Sequence, residues 1–549
     1  MNTLLKKTIA AGALSILLAI SSVTAQNYYK NGKAWVTKAE ALKPVLKETI
    51  IEPKSIVEIV KNKDAFQGWE AKAVAPIDSL YDQSIRKLNS VIVDLGDHYT
   101  GYFSFDLATI WGSPDSPVRF RFTFGEVPSE LVTPYEPFNG GISRAWLQDQ
   151  EYNIMYLPGS YKIDRRMACR YIKIDLIGSS PYFDFKINNL KFKAVTSAKN
   201  TPKELPASTP EMIKNIDKIG LNTLKECMQT VYEDGPKRDR RLWVGDMYLE
   251  SLANVYSFEN HELTKRCLYM LAGLSDDEGY VLGTVFEAPE PHAQAGQRLM
   301  DYSLLYNATL KEYLAATNDM ETAKELWPVA KRQLAIINQY VSDNGLVDYE
   351  RANGEWWLFF DWKDGLNKAA GIQGLMIFAL NETYELAKLL NVENEISEVP
   401  SLIKKMKRAA LKNMYNFKTG LFECGDDHQI SYASQAWMIM GDVLSEKASQ
   451  KALANVMKHQ EALQPGGPYM YHYFIQALVK SNMYDEAKTV LTDFWGGMVD
   501  KGADTFWEVY DPTNDLISPY GFFPINSYCH AWSCTPVYFI RKYPEIFQK

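Results

Sequence analysis

The sequence predicts a two-domain α+β chain, an N-terminal antiparallel β-sandwich followed by an (α/α)6 toroid of paired helices. Three observations predict it. Hydrophobic residues alternate with a period near two from about Ser90 to Val195, and with a helical period beyond residue 208. A stretch rich in Thr, Ser, Lys and Pro, residues 196–212, separates the two regimes and has the composition of a linker. The length of 549 residues exceeds one ordinary domain, so a change of period is also a place to divide the chain. Hydrophobic residues at 46% and charged residues at 23% exclude disorder, a collagen-like repeat and a disulfide scaffold. The formal charge of −8 argues against a nucleic-acid partner, which calls for a basic face.

The elements follow in order. Residues 1–25 have the layout of a secretory signal peptide: Lys6 and Lys7, an apolar run, then Val23-Thr24-Ala25 before a cut near Ala25–Gln26. Its removal would take the charge to −10 and send the chain to the periplasm or outside the cell. No other segment reaches about 20 consecutive apolar residues, so no membrane insertion is expected after cleavage. Residues 26–195 comprise an N-terminal extension and the sandwich, whose strands are punctuated by Gly, Pro, Asn and Asp. Residues 213–549 carry about twelve helical segments, near 208–229, 243–257, 259–274, 298–316, 319–341, 367–391, 399–416, 429–444, 446–460, 468–481, 482–495 and 527–540. Twelve helices make six hairpins. The absence of a fixed repeat length favours a closed toroid over an open solenoid. Six Cys are scattered; Cys529 and Cys534 are close enough to pair, but a helix there would point them apart, so buried thiols are expected. No CxxC or HExxH spacing marks a metal site, and no cofactor is expected.

Between the helices lie long turns that combine acid and aromatic residues: 231–246, 286–292, 354–365, 504–511 and 526–532. A helical hairpin needs only a short polar turn. Together these turns suggest one acidic, aromatic-walled pocket. Aromatic residues, 13% of the chain, suit sugar faces as well as cores.

The turn EDGPKRDRRLWVGD resembles the signature loop of the α-L-rhamnosidases of glycoside hydrolase family 78. Asp234, Pro236, Arg238, Asp239, Trp243, Gly245 and Asp246 match that pattern. The segment FFDW resembles the family's Gly-Asp-Trp, giving Asp361 and Trp362. TFWE resembles its Thr-x-Trp-Glu, giving Trp507 and Glu508, and His530 falls at its Asn-His position. The resemblance implies an exo-acting, inverting α-L-rhamnosidase working on plant or algal polysaccharide or glycan fragments. One departure stands out: the family's general-acid Glu is replaced by Arg240, and the loop is one residue shorter before Trp243. Two alternatives therefore stay open: a catalytically silent glycan-binding relative, and a uronyl hydrolase or polysaccharide lyase on the same toroid.

Inversion needs a carboxylate that activates water and a carboxylic acid that protonates the leaving oxygen. Glu508 is the expected base. Asp234 or Asp246 is the candidate acid, since either could be pushed up by neighbouring carboxylates; Glu233, Glu287, Glu290 and Asp361 are weaker candidates. Asp239, beside Arg238, Arg240 and Arg241, suits a hydrogen-bond acceptor for sugar hydroxyls. Arg238 and Arg240 could clamp a uronate next to the hydrolysed sugar, although pairing within the loop is the simpler use of them. Trp243, Trp356, Trp357, Trp362 and Trp532 are candidate walls, of which two or three are expected to touch ligand, and Trp507 is a candidate substrate-binding residue through its Trp-Glu segment. His530, and more weakly His472 and Tyr471, could hold hydroxyls.

Overall fold

The computed structural model describes residues 28–549; the proposed leader lies outside the described residues. Nine strands form one antiparallel system: Lys47–Ile51, Ser55–Lys61, Trp69–Pro76, Ser90–Trp111, Val118–Gly125, Asp149–Ile154, Gly159–Lys162, Met167–Gly178 and Asp184–Thr196. The long strand Ser90–Trp111 organises it. Its first part, residues 90–94, pairs with 171–175, and its second part, 101–111, passes to 184–194. Alternation along it buries Val91, Val93 and Leu95, then Phe103, Phe105 and Leu107. These meet Phe120, Phe122, Phe124, Ile172, Ile174, Phe185 and Phe192 in a core of the sandwich's own. Each such side chain contributes roughly 1.5–3 kcal/mol through burial.

Beyond residue 210 the chain is helical. Glu211–Cys227 shows why: Ile213, Ile216, Gly220, Thr223, Leu224 and Cys227 fall on one buried stripe, and Pro210 stands at its N-terminus. An inner ring runs through Val244–Val255, Met300–Thr317, Ala369–Leu390, Tyr432–Met440 and Pro468–Lys480, each packed on the next. The short turn Ala531–Cys534 packs on both the last and the first of these and closes the ring. Outside it lie Glu211–Cys227, His261–Gly273, Met320–Tyr340, Val399–Asn413, Glu446–Lys458 and Tyr484–Asp500. The inner helix Val244–Val255 is buried from Val244 through Asn254, whereas the outer helix Val399–Asn413 buries only four residues. Inner helices approach closely at Gly374, where a Cβ would stand 2.5 Å from the carbonyl carbon of Trp437.

The expected helix over 527–540 forms only in part, as the turn at Ala531–Cys534 and the helix Pro536–Lys542. Residues 527–530 stay non-helical because their backbone pairs elsewhere. His530 donates its N–H to the Phe506 carbonyl, Ala531 donates to that of Asp234, and Ser527 accepts from Glu508. All six cysteines are buried free thiols. Among the described residues no helix is long and apolar enough to cross a membrane.

The helix Gly32–Ala41 lies before the sandwich in sequence yet packs on the toroid. Trp35 donates to Glu325, and Arg266 donates to the Ala39 carbonyl. Sandwich and toroid are further tied by buried charge. Arg166 pairs with Glu233 at 2.6 Å, and Arg170 bridges Asp94 and Asp504. Lys237 reaches Glu130, stands 3.5 Å from Glu126, and donates to the carbonyls of Pro524 and Asn526.

Candidate active site

At one mouth of the toroid the long turns converge on a cavity of about 340 Å³. This falls at the small end of the range of about 300–1,000 Å³ for ligand pockets. Asp234, Arg238, Asp239, Arg241, Trp243 and Asp246 line it from the 231–246 segment. Trp357, Phe359 and Trp362 come from the 354–365 turn, and Glu508, Tyr520, His530 and Trp532 from the C-terminal turns.

Glu508 is 1% exposed. Its Oε2 accepts from the Arg238 guanidinium and from the Ser527 N–H at 3.2 Å, and its Oε1 accepts from the Tyr520 hydroxyl at 2.5 Å. Burial works against the Arg238 charge, but Glu508, Tyr520 and the nearby aspartates more than offset it. Tyr520 keeps its proton because burial and the Glu508 charge both push it up. The backbone holds this carboxylate in place: Glu508 N–H binds the Ser527 carbonyl, and Trp532 Nε1–H binds the Glu508 carbonyl at 3.0 Å.

Two aspartates are pushed above the ordinary carboxylate range. Asp234 is pushed up to about 8, by burial first and then by the charge of Asp239. The N–H groups of Asp239 and Arg241 donate to it, at 3.0 and 3.3 Å, and limit the rise. Asp246, in the first turn of Val244–Val255, is driven well above the ordinary carboxylate range by burial and then by Asp234. Its Oδ2 accepts from Tyr302 at 3.5 Å, and its Oδ1 has no hydrogen-bond partner among the described residues. His530, driven well below its usual range by burial and Arg238, is neutral, with Nδ1 3.7 Å from Asp246 Oδ1. The two carboxyl groups thus differ in kind. A proton released near neutral pH suits an acid that must let it go, and one held far more tightly suits a fixed hydrogen-bond donor. Asp239 pairs with Arg241 at 2.8 Å and is the more open of the three.

Several expected residues are brought elsewhere. Arg240 is not a cavity residue: it sits in the left-handed region at φ 63°, and its Nε donates to the Lys237 carbonyl, so its side chain turns toward Arg166 and Glu233. Asp361 accepts from the N–H groups of Trp362 and Gly466, at 2.9 and 2.5 Å, and so braces the 354–365 turn. Trp507 is buried against Phe66, ring centroids 4.0 Å apart, so it anchors the N-terminal extension rather than walling the cavity. Trp356 is likewise buried, donating to Tyr340. Glu233 pairs with Arg166, Glu287 with Arg266, and Glu290 is exposed. His472 packs on Tyr538 and Phe539, and Tyr471 stacks on Phe494, both away from the cavity.

Sequence reasoning missed Tyr520, Tyr302, Gln297 and Leu299, and also Ile142 and Trp146, which reach the cavity from the sandwich. Tyr520 lies between the Trp-Glu and Cys-His segments, a position that could have flagged it. The others carry no local signal. Among the described residues no cluster of three His, Cys, Asp or Glu is arranged to hold a metal ion.

A model of the family 78 α-rhamnosidase N-terminal domain matches residues 53–194. A model of the bacterial α-L-rhamnosidase six-hairpin glycosidase domain matches residues 207–543. Among solved structures, a rhamnosidase from Klebsiella oxytoca with rhamnose bound is 37% identical, with a TM-score of 0.89 over 93% of this chain and 99% of that one. The family 78 rhamnosidase of Bacillus sp. GL1, at 19% identity and TM-score 0.69, aligns over 86% of this chain and 49% of its own. An α-L-rhamnosidase from Streptomyces avermitilis complexed with L-rhamnose, at 13% and 0.63, aligns over 91% of this chain and 44% of its own. The last two share the fold. A search of curated proteins found no match.

Proposed function

Since the chain belongs to glycoside hydrolase family 78 and is an α-L-rhamnosidase of that family, we propose that it hydrolyses a terminal α-L-rhamnoside with Glu508 as base and Asp234 as acid. The carrying observation is the pairing, in one small cavity, of a hydrogen-bonded Glu508 carboxylate with a buried Asp234 carboxyl pushed up to about 8 by burial.

Glu508 takes a proton from water as the water attacks the anomeric carbon. Arg238, Tyr520 and the Ser527 N–H fix the direction of that carboxylate. Asp234 gives its proton to the departing oxygen, replacing the missing glutamate. Asp246, protonated and without a partner on Oδ1, donates to a ring hydroxyl, and Asp239 accepts from another. Attack by water in a single displacement inverts the anomeric configuration. The small cavity favours one sugar at a chain end. Arg240 points away and Arg238 and Arg241 already face carboxylates, which favours a neutral over a uronate-bearing leaving group. The leader-like composition of residues 1–25 supports a periplasmic or secreted enzyme acting on glycan fragments from outside the cell.

Aryl α-L-rhamnosides of graded leaving-group acidity test the roles. Glu508→Gln should lose about 10²–10⁴-fold on every substrate. Asp234→Asn should lose little on the best leaving group and progressively more on poorer ones. The same graded loss in Asp246→Asn, with Asp234→Asn uniform, would exchange the two roles. Proton NMR of the first rhamnose released should show the β-anomer.

A further inference from the structure

The cavity is not built by the toroid alone. Ile142 and Trp146, both half-buried, line it from the sandwich, on the loop between Val118–Gly125 and Asp149–Ile154. This loop is held from two sides. On the toroid side, Gly141 N–H donates to the Tyr520 carbonyl at 2.8 Å, and the rings of Phe138 and Phe522 meet edge to face at 5.6 Å. On the sandwich side, Arg165 donates to the carbonyls of Ala145, Trp146 and Leu147, and Arg144 grips Asp149 through both terminal nitrogens. A loop braced in this way presents its side chains already ordered.

Polar groups are concentrated in the buried part of the cavity beside Leu299, Phe359 and Trp532, while its half-buried part joins apolar faces to Asp239, Arg241 and Gln297. Asp234, Asp246, Tyr302, Glu508 and His530 are buried and form a polar floor. Ile142, Trp146, Trp362 and Trp357, the last 44% exposed, stand nearer solvent. A sugar whose anomeric carbon meets the floor carboxyls directs its leaving group toward this more open lining, where the apolar faces stand across from the Asp239–Arg241 pair. The loop's own cation is spent within it, since Arg144 also pairs with Glu136 at 2.8 Å. We infer that Ile142 and Trp146 of the sandwich form a leaving-group subsite that takes a flat apolar face, either an aromatic aglycone or the apolar side of a second sugar. The inference rests on the acid and base assignment above only for the direction in which the leaving group departs.

The test varies leaving-group size, at constant acidity between two aryl substrates, with a small and a sugar leaving group for reference. The substrates are α-L-rhamnosyl fluoride, a one-ring and a fused two-ring aryl α-L-rhamnoside of matched acidity, and a rhamnosyl disaccharide. Trp146→Ala should lower the ratio of kcat/KM for the two-ring substrate to that for the fluoride at least about tenfold. The one-ring substrate should fall between them, and Trp146→Phe should recover most of the ratio. Ile142→Ala should shift the ratio the same way by less, and it serves alone if Trp146→Ala fails to fold. Under these outcomes, an equal loss on the disaccharide identifies a sugar face as the occupant, and no loss there identifies an aromatic aglycone. An unchanged ratio, or a loss that follows acidity instead of size, overturns the subsite. A wrong acid or base assignment shows instead in the graded series of the preceding section, where size plays no part.

Discussion

Replacing Lys237 by Met should cost about 3 kcal/mol of folding stability. Lys237 is 1% exposed and lies where sandwich and toroid meet. Its ammonium faces Glu130 and Glu126, and it donates to the carbonyls of Pro524 and Asn526 at 2.9 and 2.8 Å. Removing one partner of a buried ion pair costs roughly 3–5 kcal/mol, because the charge left behind has no counterion. Here two effects hold the cost to the low end. Glu126 keeps His98 at 3.1 Å and the Tyr528 N–H at 2.7 Å. Glu130 is already pushed up by burial, so it can take a proton when the ammonium is gone. Equilibrium urea unfolding followed by tryptophan fluorescence measures the loss. The double variant Lys237→Met/Glu130→Gln removes the stranded carboxylate and should regain about 1 kcal/mol or more. A single-variant loss below about 1 kcal/mol, or a double variant no more stable than the single, would refute the reasoning. Activity should fall with stability, because the same ammonium fixes the carbonyls of Pro524 and Asn526, just ahead of Ser527.

Two further predictions concern the site. Asp234 binds its proton below about 8 and loses it above, so kcat/KM for a substrate with a poor leaving group should fall as pH rises through about 8; Asp234→Asn should abolish this alkaline limb, and a wild-type profile flat well past that point would count against the assignment. Gly245→Ala would place a Cβ 2.3 Å from Cε1 of Tyr302, which is 2% exposed and hemmed in by Trp243, Phe359 and Tyr469. It should destabilise by about 1–3 kcal/mol and raise KM, whereas Gly354→Ala, with nothing within 4 Å, should do neither.

The two hydrophobic periods were readable because burial in the sandwich and the toroid imposes them locally. Phe103, Phe105 and Leu107 alternate on a pleat, and Ile213, Ile216 and Leu224 fall on a helical stripe. The pocket-forming turns were readable for a related reason, since a hairpin has no need of Trp362 or Glu508. What the chain order hides is direction. Arg240 and Arg241 are neighbours, yet the left-handed backbone at Arg240 turns one out of the cavity while the other stays in. Trp507 and Glu508 likewise share a motif, but Trp507 is claimed by Phe66, some 440 residues earlier. The apolar run around Cys529 reads as helix until the backbone donors of His530 and Ala531 are traced to Phe506 and Asp234. Ile142 and Trp146 enter the site only through contact between domains, which no local pattern records.

The placement of Gly32–Ala41 has a consequence for how the chain is assembled. Its docking surface includes Arg266, Tyr269, Gly273 and Glu325, the first of them 227 residues beyond Ala39. During synthesis this segment emerges first among the described residues and has nothing to bind until the sandwich and the first hairpins of the ring have followed it. Docking of Gly32–Ala41 is therefore a late event, and it seals the sandwich inside one long closed excursion of the chain. Contacts of such separation slow folding and keep early segments uncommitted. Gly32–Ala41 becomes one of the last elements to settle.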